Sequence, residues 1–124
     1  MNFSFDNHSP VYLQIASALE EAILSGEFQP EEKLPSVREI ASRSQTNPNT
    51  VVKAMSELEN KGLIETRRTS GKYVSANPKA LELQRESRAR MLRDTYFSEM
   101  SKLGYTRAEA IELAKKGAED AAES

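Results

Sequence analysis

Two helix-start signals close together in the middle of the chain constrain its fold more than any other feature. Ser36 and Glu39 form an S-x-x-E capping box. Asn47 followed by Pro48 pairs a capping side chain with proline at the first helical position. Gly62 supplies a stop for the second of these helices. The spacing predicts helices of about 9 and 14 residues joined by a turn of about three, which is the helix-turn-helix pattern.

Hydrophobic residues at helical spacing predict a further helix ahead of this pair. Ser9 is typical of an N-cap and Pro10 of a first helical residue, so we expect this helix from about Pro10 to Ser25. In the helix that opens at Asn47, the predicted apolar stripe consists of Val51, Val52, Met55 and Leu58.

After Gly62 the helical spacing gives way to short runs that are typical of strands. Residues 63–68 predict a strand, residues 69–72 a turn, and residues 73–75 a return strand. A two-stranded hairpin that directly follows a helix-turn-helix is a wing.

The chain is predicted to divide at the Asn77–Pro78 junction. Residues 1–77 would form a winged helix-turn-helix domain, and residues 78–124 a helical segment that makes the chain a dimer. The predicted fold class is therefore mainly α with a small β-hairpin: a winged helix-turn-helix followed by a two-helix C-terminal dimerisation segment.

Two helices are expected in the C-terminal segment. Gly104 interrupts one helical pattern, and Thr106 with Glu109 forms a capping box for the next. The side chains expected to pair in the dimer are Met91, Leu92, Tyr96, Met100, Leu103, Ile111, Ala114 and Ala118. The alternative is a monomeric cap on the winged domain, although so short a helical pair rarely buries enough apolar surface alone.

The formal net charge of −2 hides an asymmetry along the chain. Residues 1–32 carry six acids and no Lys or Arg, whereas residues 33–77 carry eight Lys or Arg against four acids. A local basic zone favours contact with a polyanion, but an ordinary mixed surface charge accounts for it equally well.

Several function classes find little support in the composition. The chain has no cysteine and one histidine, His8, and it shows no glycine-rich phosphate loop. These features argue against a metal site, a catalytic triad, a cofactor and an enzyme. We see neither a signal peptide nor an apolar run long enough to span a membrane, so we expect a cytoplasmic protein.

The amino end of the helix that opens at Asn47 is predicted to enter the major groove of double-stranded DNA. Its polar side chains can reach base edges or phosphates, and helix N-termini also present N–H groups that bind anions. The candidates are Asn47, Asn49, Thr50 and Lys53. Capping of the helix by Asn47 is compatible with such a contact.

Basic residues on both sides of this helix are further candidates. Arg38 lies in the first turn of the preceding helix, where its positive charge interacts unfavourably with the helix dipole. This unfavourable placement indicates a functional contact, such as bidentate hydrogen bonds to guanine or phosphate. A surface arginine paired with a nearby glutamate is the alternative. The wing candidates are Arg67, Arg68, Gly71 and Lys72. The alternative is that these charged residues only keep the hairpin solvated and prevent aggregation through its strand edges.

The chain resembles the GntR family of bacterial transcription regulators over about residues 10–75. The resemblance rests on motifs in the family's order and spacing, which run from Pro10 to Ile15, Leu34 to Ala41, Asn47 to Ala54, Leu58, Gly62 to Glu65, and Gly71 to Val74. In its short C-terminal segment the chain is similar to the YtrA subfamily.

The resemblance implies a winged-helix domain that binds a palindromic operator as a homodimer. Our working hypothesis is repression by occupancy of that operator. The resemblance also implies that Arg38 reads a guanine, that Ser36 touches phosphate and that Gly71 lies at the minor groove. Members of the subfamily often control neighbouring ABC transporter genes, and any small-molecule effector would bind in a small cavity at the dimer interface. The chain departs from the family where Glu32 and Thr69 replace usual glycines.

A competing hypothesis is a winged-helix module that binds a protein instead of DNA, since fold alone does not determine function. The run from Asn47 to Thr50 argues against it, because a protein interface would favour aromatic anchors there.

Overall fold

The computed structural model describes residues 1–68 and 70–123. In chain order its elements are α1 (Val11–Leu24), α2 (Val37–Ser44), α3 (Pro48–Asn60), β1 (Ile64–Arg67), β2 (Gly71–Val74), α4 (Pro78–Lys102) and α5 (Arg107–Glu123). The prediction of a mainly helical fold with a single hairpin after α3 is confirmed. The chain forms two compact units, Met1–Arg85 and Glu86–Ser124, which are described separately. The division at residues 77 and 78 stays a prediction, although α4 does begin at Pro78.

Local hydrogen bonds fix where α2 and α3 begin. Ser36 Oγ accepts from the Glu39 amide at 3.1 Å, and Asn47 Oδ1 accepts from the Asn49 amide at 2.8 Å. Between the two helices, Gln45 turns the chain with a left-handed φ of 55°. Both predicted caps are confirmed, and each satisfies a backbone donor that the helix itself leaves unpaired.

The core of the first unit lies between α1, α2, α3 and the hairpin. The largest side chains that it buries completely are Ile15, Leu19, Ile40, Val51, Met55, Leu58, Leu63 and Val74. Burial of each such side chain contributes about 1.5–3 kcal/mol. Phe3 and Leu81 pack against this cluster from outside the helix-turn-helix, so the first turns of α4 belong to the winged unit.

The hairpin is attached to the core through the connector between α1 and α2. β1 and β2 are antiparallel, with Ile64 opposite Val74 and Arg67 opposite Gly71. On the other side of β2, the Leu34 amide donates to the Lys72 carbonyl at 2.9 Å. The prediction that placed Gly71 and Lys72 in the turn is wrong, because these backbone contacts continue β2 through both residues. Thr69, also assigned to the turn, lies outside the described residues.

Two smaller predictions about the helices are wrong. Pro10, not Ser9, is the N-cap of α1, and the Ser9 carbonyl instead accepts from Gln14 Nε2 at 2.8 Å. In α3, Val51 is fully buried, but Val52 is 49% exposed and does not belong to the core-facing stripe.

The second unit contains the rest of α4 and all of α5. Thr106 Oγ1 accepts from the Glu109 amide at 3.1 Å, and Glu109 Oε1 accepts from the Thr106 amide at 2.9 Å, which confirms the predicted capping box. The two helices are joined by a hydrogen bond that the Tyr96 phenol donates to the Ala110 carbonyl at 2.6 Å. Over residues 1–68 and 70–123, no helix combines the length and apolar character needed to cross a membrane.

Candidate nucleic-acid interface

The amino end of α3 is open to solvent. Asn47, Asn49 and Lys53 are exposed and Thr50 is half-buried, whereas the opposite side of the helix packs into the core. The helix therefore presents its predicted contact residues outward, which is the condition for entry into a groove.

The backbone at this end of α3 is already hydrogen-bonded. The Asn49 amide donates to Asn47 Oδ1, and the Thr50 and Val51 amides donate to the Asn47 carbonyl at 2.9 and 3.4 Å. Pro48 has no N–H. A phosphate at this helix end would therefore be bound by side chains, and the first turn contains no acid that would repel it.

Lys53 and Arg38 lie on α3 and α2 respectively, and both are exposed. Lys53 Nζ lies 5.4 Å from the centre of the Tyr12 ring, a cation–π distance that joins α3 to α1. Glu39, the acid in the first turn of α2, forms an ion pair with Arg43 at 4.0 Å. The carboxylate next to Arg38 in sequence is thus engaged elsewhere.

The predicted wing residues fall into two pairs. Arg67 and Lys72 are held by protein partners: the Arg67 guanidinium lies 4.0 Å from the centre of the Tyr73 ring and pairs with Glu65 at 3.2 Å. Arg68 and Gly71 are exposed near the end of the hairpin. Gly71 has a φ of 114°, a conformation that residues with a Cβ rarely adopt.

Lys72 connects the wing to the end of α3. Its ammonium donates to Glu59 Oε1 and, at 2.6 Å, to Thr66 Oγ1, while the Thr66 hydroxyl donates to the same Glu59 oxygen at 2.7 Å. The hydrogen bond from Lys72, followed by that from Thr66, lowers the pKa of the Glu59 carboxyl below its usual value. We call Glu59, Thr66 and Lys72 the wing clamp.

The apolar residues predicted to pair in a dimer occupy different environments in the second unit. Met91, Leu92 and Leu103 are 66%, 68% and 74% exposed. Tyr96 and Met100 are half-buried, and Leu103 follows the last residue of α4. The remaining candidates, Ile111, Ala114 and Ala118, are exposed on α5.

Sequence reasoning did not find three residues that the structure brings to this interface. Val52 was assigned to the core, and Tyr12 and Glu59 received no role. The contact between Lys53 and Tyr12 and that between Lys72 and Glu59 join different elements. The spacing of Tyr12 and Glu59 within their own helices gives no signal of either contact.

A three-helix core, a hairpin after α3 and an open polar helix end define the winged helix-turn-helix class of DNA-binding transcription regulators. A family model described as "Bacterial regulatory proteins, gntR family" matches residues 11–74. The chain belongs to the GntR family, whose members are transcription regulators, and the resemblance seen in the sequence is confirmed.

Individual relatives agree with this assignment. The uncharacterized HTH-type transcriptional regulator YhcF of Bacillus subtilis is 34% identical over 90% of this chain and 93% of its own length. The transcriptional repressor YtrA of the same organism is 51% identical over 57% of this chain and 55% of its own length. A solved GntR family transcriptional regulator from Listeria monocytogenes covers 90% of this chain and 98% of its own, with 37% identity and a TM-score of 0.83.

Proposed function

We propose that the chain is a sequence-specific transcriptional repressor that binds a palindromic operator as a homodimer. The observation that carries this proposal is the solvent-exposed amino end of α3, where Asn47, Asn49 and Lys53 lie together without an acid in the first turn. The repressor role is supported by the name of the relative YtrA.

Different residues are assigned different contacts with the duplex. Arg38 would read a guanine, because its planar guanidinium matches the two acceptors on the major-groove edge of that base. Asn47, Asn49, Thr50 and Lys53 would contact bases and backbone from α3, and Ser36 a phosphate. In the wing, Arg68 and Gly71 would approach the minor groove, while Arg67 and Lys72 would add positive charge near the backbone.

The homodimer is supported by how little of the second unit is buried. Among its described residues, Ala110 alone is fully buried, while Met91, Leu92 and Leu103 expose most of their side chains. A helical pair of this size cannot stabilise itself with so small a core. A second copy of the same unit would cover these side chains and would place two copies of α3 on one duplex.

Repression would follow from occupancy of the operator. We further propose that the regulated genes are neighbouring ABC transporter genes, as the resemblance to the subfamily implies. A small-molecule effector bound at the dimer interface would then release the DNA.

Selection from a pool of random DNA duplexes tests the proposal. We expect the full chain to enrich a palindromic sequence, and binding to the enriched duplex to weaken steeply with salt as phosphate contacts release counterions. Failure to enrich any sequence would contradict the proposal and favour the protein-binding alternative.

Replacement of Arg38 tests the contact to the base. We expect Arg38→Ala to weaken binding about 30-fold or more at fixed salt, because the dimer loses one bidentate base contact in each half-site, each worth about 1–3 kcal/mol. The sequence preference at one position of each half-site should relax at the same time. Arg43→Ala is the matched control, because Arg43 is an exposed arginine on α2 that lies about 140° further round the helix. Equal losses in the two variants would contradict the role of Arg38.

A further inference from the structure

Val52 is the one strongly apolar side chain on the open face of α3 within the described residues. It is 49% exposed, while its neighbour Val51 is fully buried. Asn49 lies one turn before it and Lys53 directly after it, and both are exposed. Val52 therefore lies among the residues assigned to the major groove.

About half of the Val52 side chain stays in water, and this half contributes no burial to the fold. A β-branched side chain also restricts its own rotamers in a helix, so valine has a lower helix propensity than alanine, lysine or glutamate. The exposed half of the side chain is therefore available for contact with a partner.

DNA offers one apolar group on the base edges of its major groove, the C5-methyl of thymine. The surroundings of Val52 match a duplex better than an apolar protein surface. Lys53, directly after Val52, is an exposed cation, Asn49 carries an amide that can pair with adenine, and the first turn of α3 contains no acid.

We propose that Val52 selects thymine at one position of each operator half-site by apolar contact with the thymine methyl group. This inference rests on the proposed DNA-binding function. A cytosine at that position presents no methyl group, so the contact distinguishes a T·A pair from a C·G pair without a hydrogen bond.

The test removes single methyl groups from the DNA. In the duplex enriched by the full chain, each thymine is replaced in turn by deoxyuridine, which preserves base pairing and lacks only the methyl group. For the wild type we expect one position per half-site at which the replacement weakens binding about fourfold, the factor for burying one methyl-sized group. For Val52→Ala we expect thymine and uracil to bind equally at that position.

Val11→Ala is the matched control. Val11 is also a partly exposed helical valine, 37% exposed at the start of α1, and its variant should retain the full difference between thymine and uracil. Circular dichroism of Val52→Ala should match the wild type, since alanine favours the helix.

The outcomes separate the two proposals. If no duplex is enriched, the DNA-binding function itself fails. If a duplex is enriched but uracil is tolerated at every position, or Val52→Ala keeps the wild-type difference at every position, the role of Val52 is overturned while the function stands.

Discussion

Glu31 adopts a backbone conformation that is costly for any residue with a Cβ. Its φ of 68° lies in the left-handed region, which costs such a residue about 1–2 kcal/mol. Glycine avoids this cost, but its greater flexibility in the unfolded chain lowers the free energy of unfolding by about 0.5–1 kcal/mol. We therefore expect Glu31→Gly to raise the free energy of unfolding by about 0.5–1 kcal/mol, measured by urea denaturation.

Glu32→Gly provides the comparison, because it removes the same charge and introduces the same residue one position later. Among the described residues, positive φ values outside glycine occur at Glu31 and Gln45 but not at Glu32. Glu32 Oε1 also accepts from the Gln29 amide at 3.0 Å, so this variant should be less stable than the wild type. Equal destabilisation by both substitutions would refute the argument from backbone conformation.

Individual residues could be predicted where their role depends on local sequence. The caps at Ser36 and Asn47 are formed within three residues, so the sequence suffices to predict them. The departure from the family's glycine was expected at Glu32, whereas the left-handed residue is Glu31. Val51 and Val52 are both apolar and adjacent, and only the packing of α3 determines which of them is buried.

At the scale of elements, the wing clamp makes the attachment of the hairpin to α3 dependent on pH. The pKa of Glu59 is lower in the folded chain than its usual value of 4.5, so its ion pair contributes stability that is fully present above that usual value. That contribution is lost as the pH falls through the lower, folded pKa. We expect Glu59→Gln to lower the free energy of unfolding at pH 7 and to have a much smaller effect at pH 3.

A double-mutant cycle with Lys72→Met distinguishes the wing clamp from a general effect of the substitution. Once the ammonium is absent, Glu59→Gln should cost much less at pH 7 than it does in the wild-type background. An undiminished cost in the Lys72→Met background would show that the wing clamp does not act as described.

The order and type of the elements could be predicted, because the hydrophobic spacing and the helix stop signals depend on residues that are close in sequence. The residue at which the hairpin turn ends could not be predicted in this way. Gly71 is typical of a turn, yet it is paired with Arg67 in the sheet, and Lys72 is held by the backbone of Leu34 from a distant connector. The charge of Lys72 was assigned to DNA, and its partner Glu59 lies on another element.

At the scale of the whole molecule, the two compact units suggest different truncations. A chain that ends after Arg85 keeps Leu81 against the core and Gln84 Nε2 within 3.4 Å of the Lys61 carbonyl, whereas a chain that ends after Asn77 loses both. We expect the chain that ends after Arg85 to be the more stable of the two in thermal unfolding and to remain monomeric in sedimentation.

Loss of the second unit should weaken operator binding much more than it affects folding. Two linked winged units bind one duplex with a gain in affinity of about 10²–10⁴ over a single unit. We therefore expect the chain that ends after Arg85 to lose about 10²-fold or more in affinity for the enriched duplex.

In the full chain, Leu92→Glu should also produce a monomer, because it places a charge on a side chain that the dimer would bury. A truncated chain that still sediments as a dimer would place the dimer contact in the first unit and refute the role given to the second.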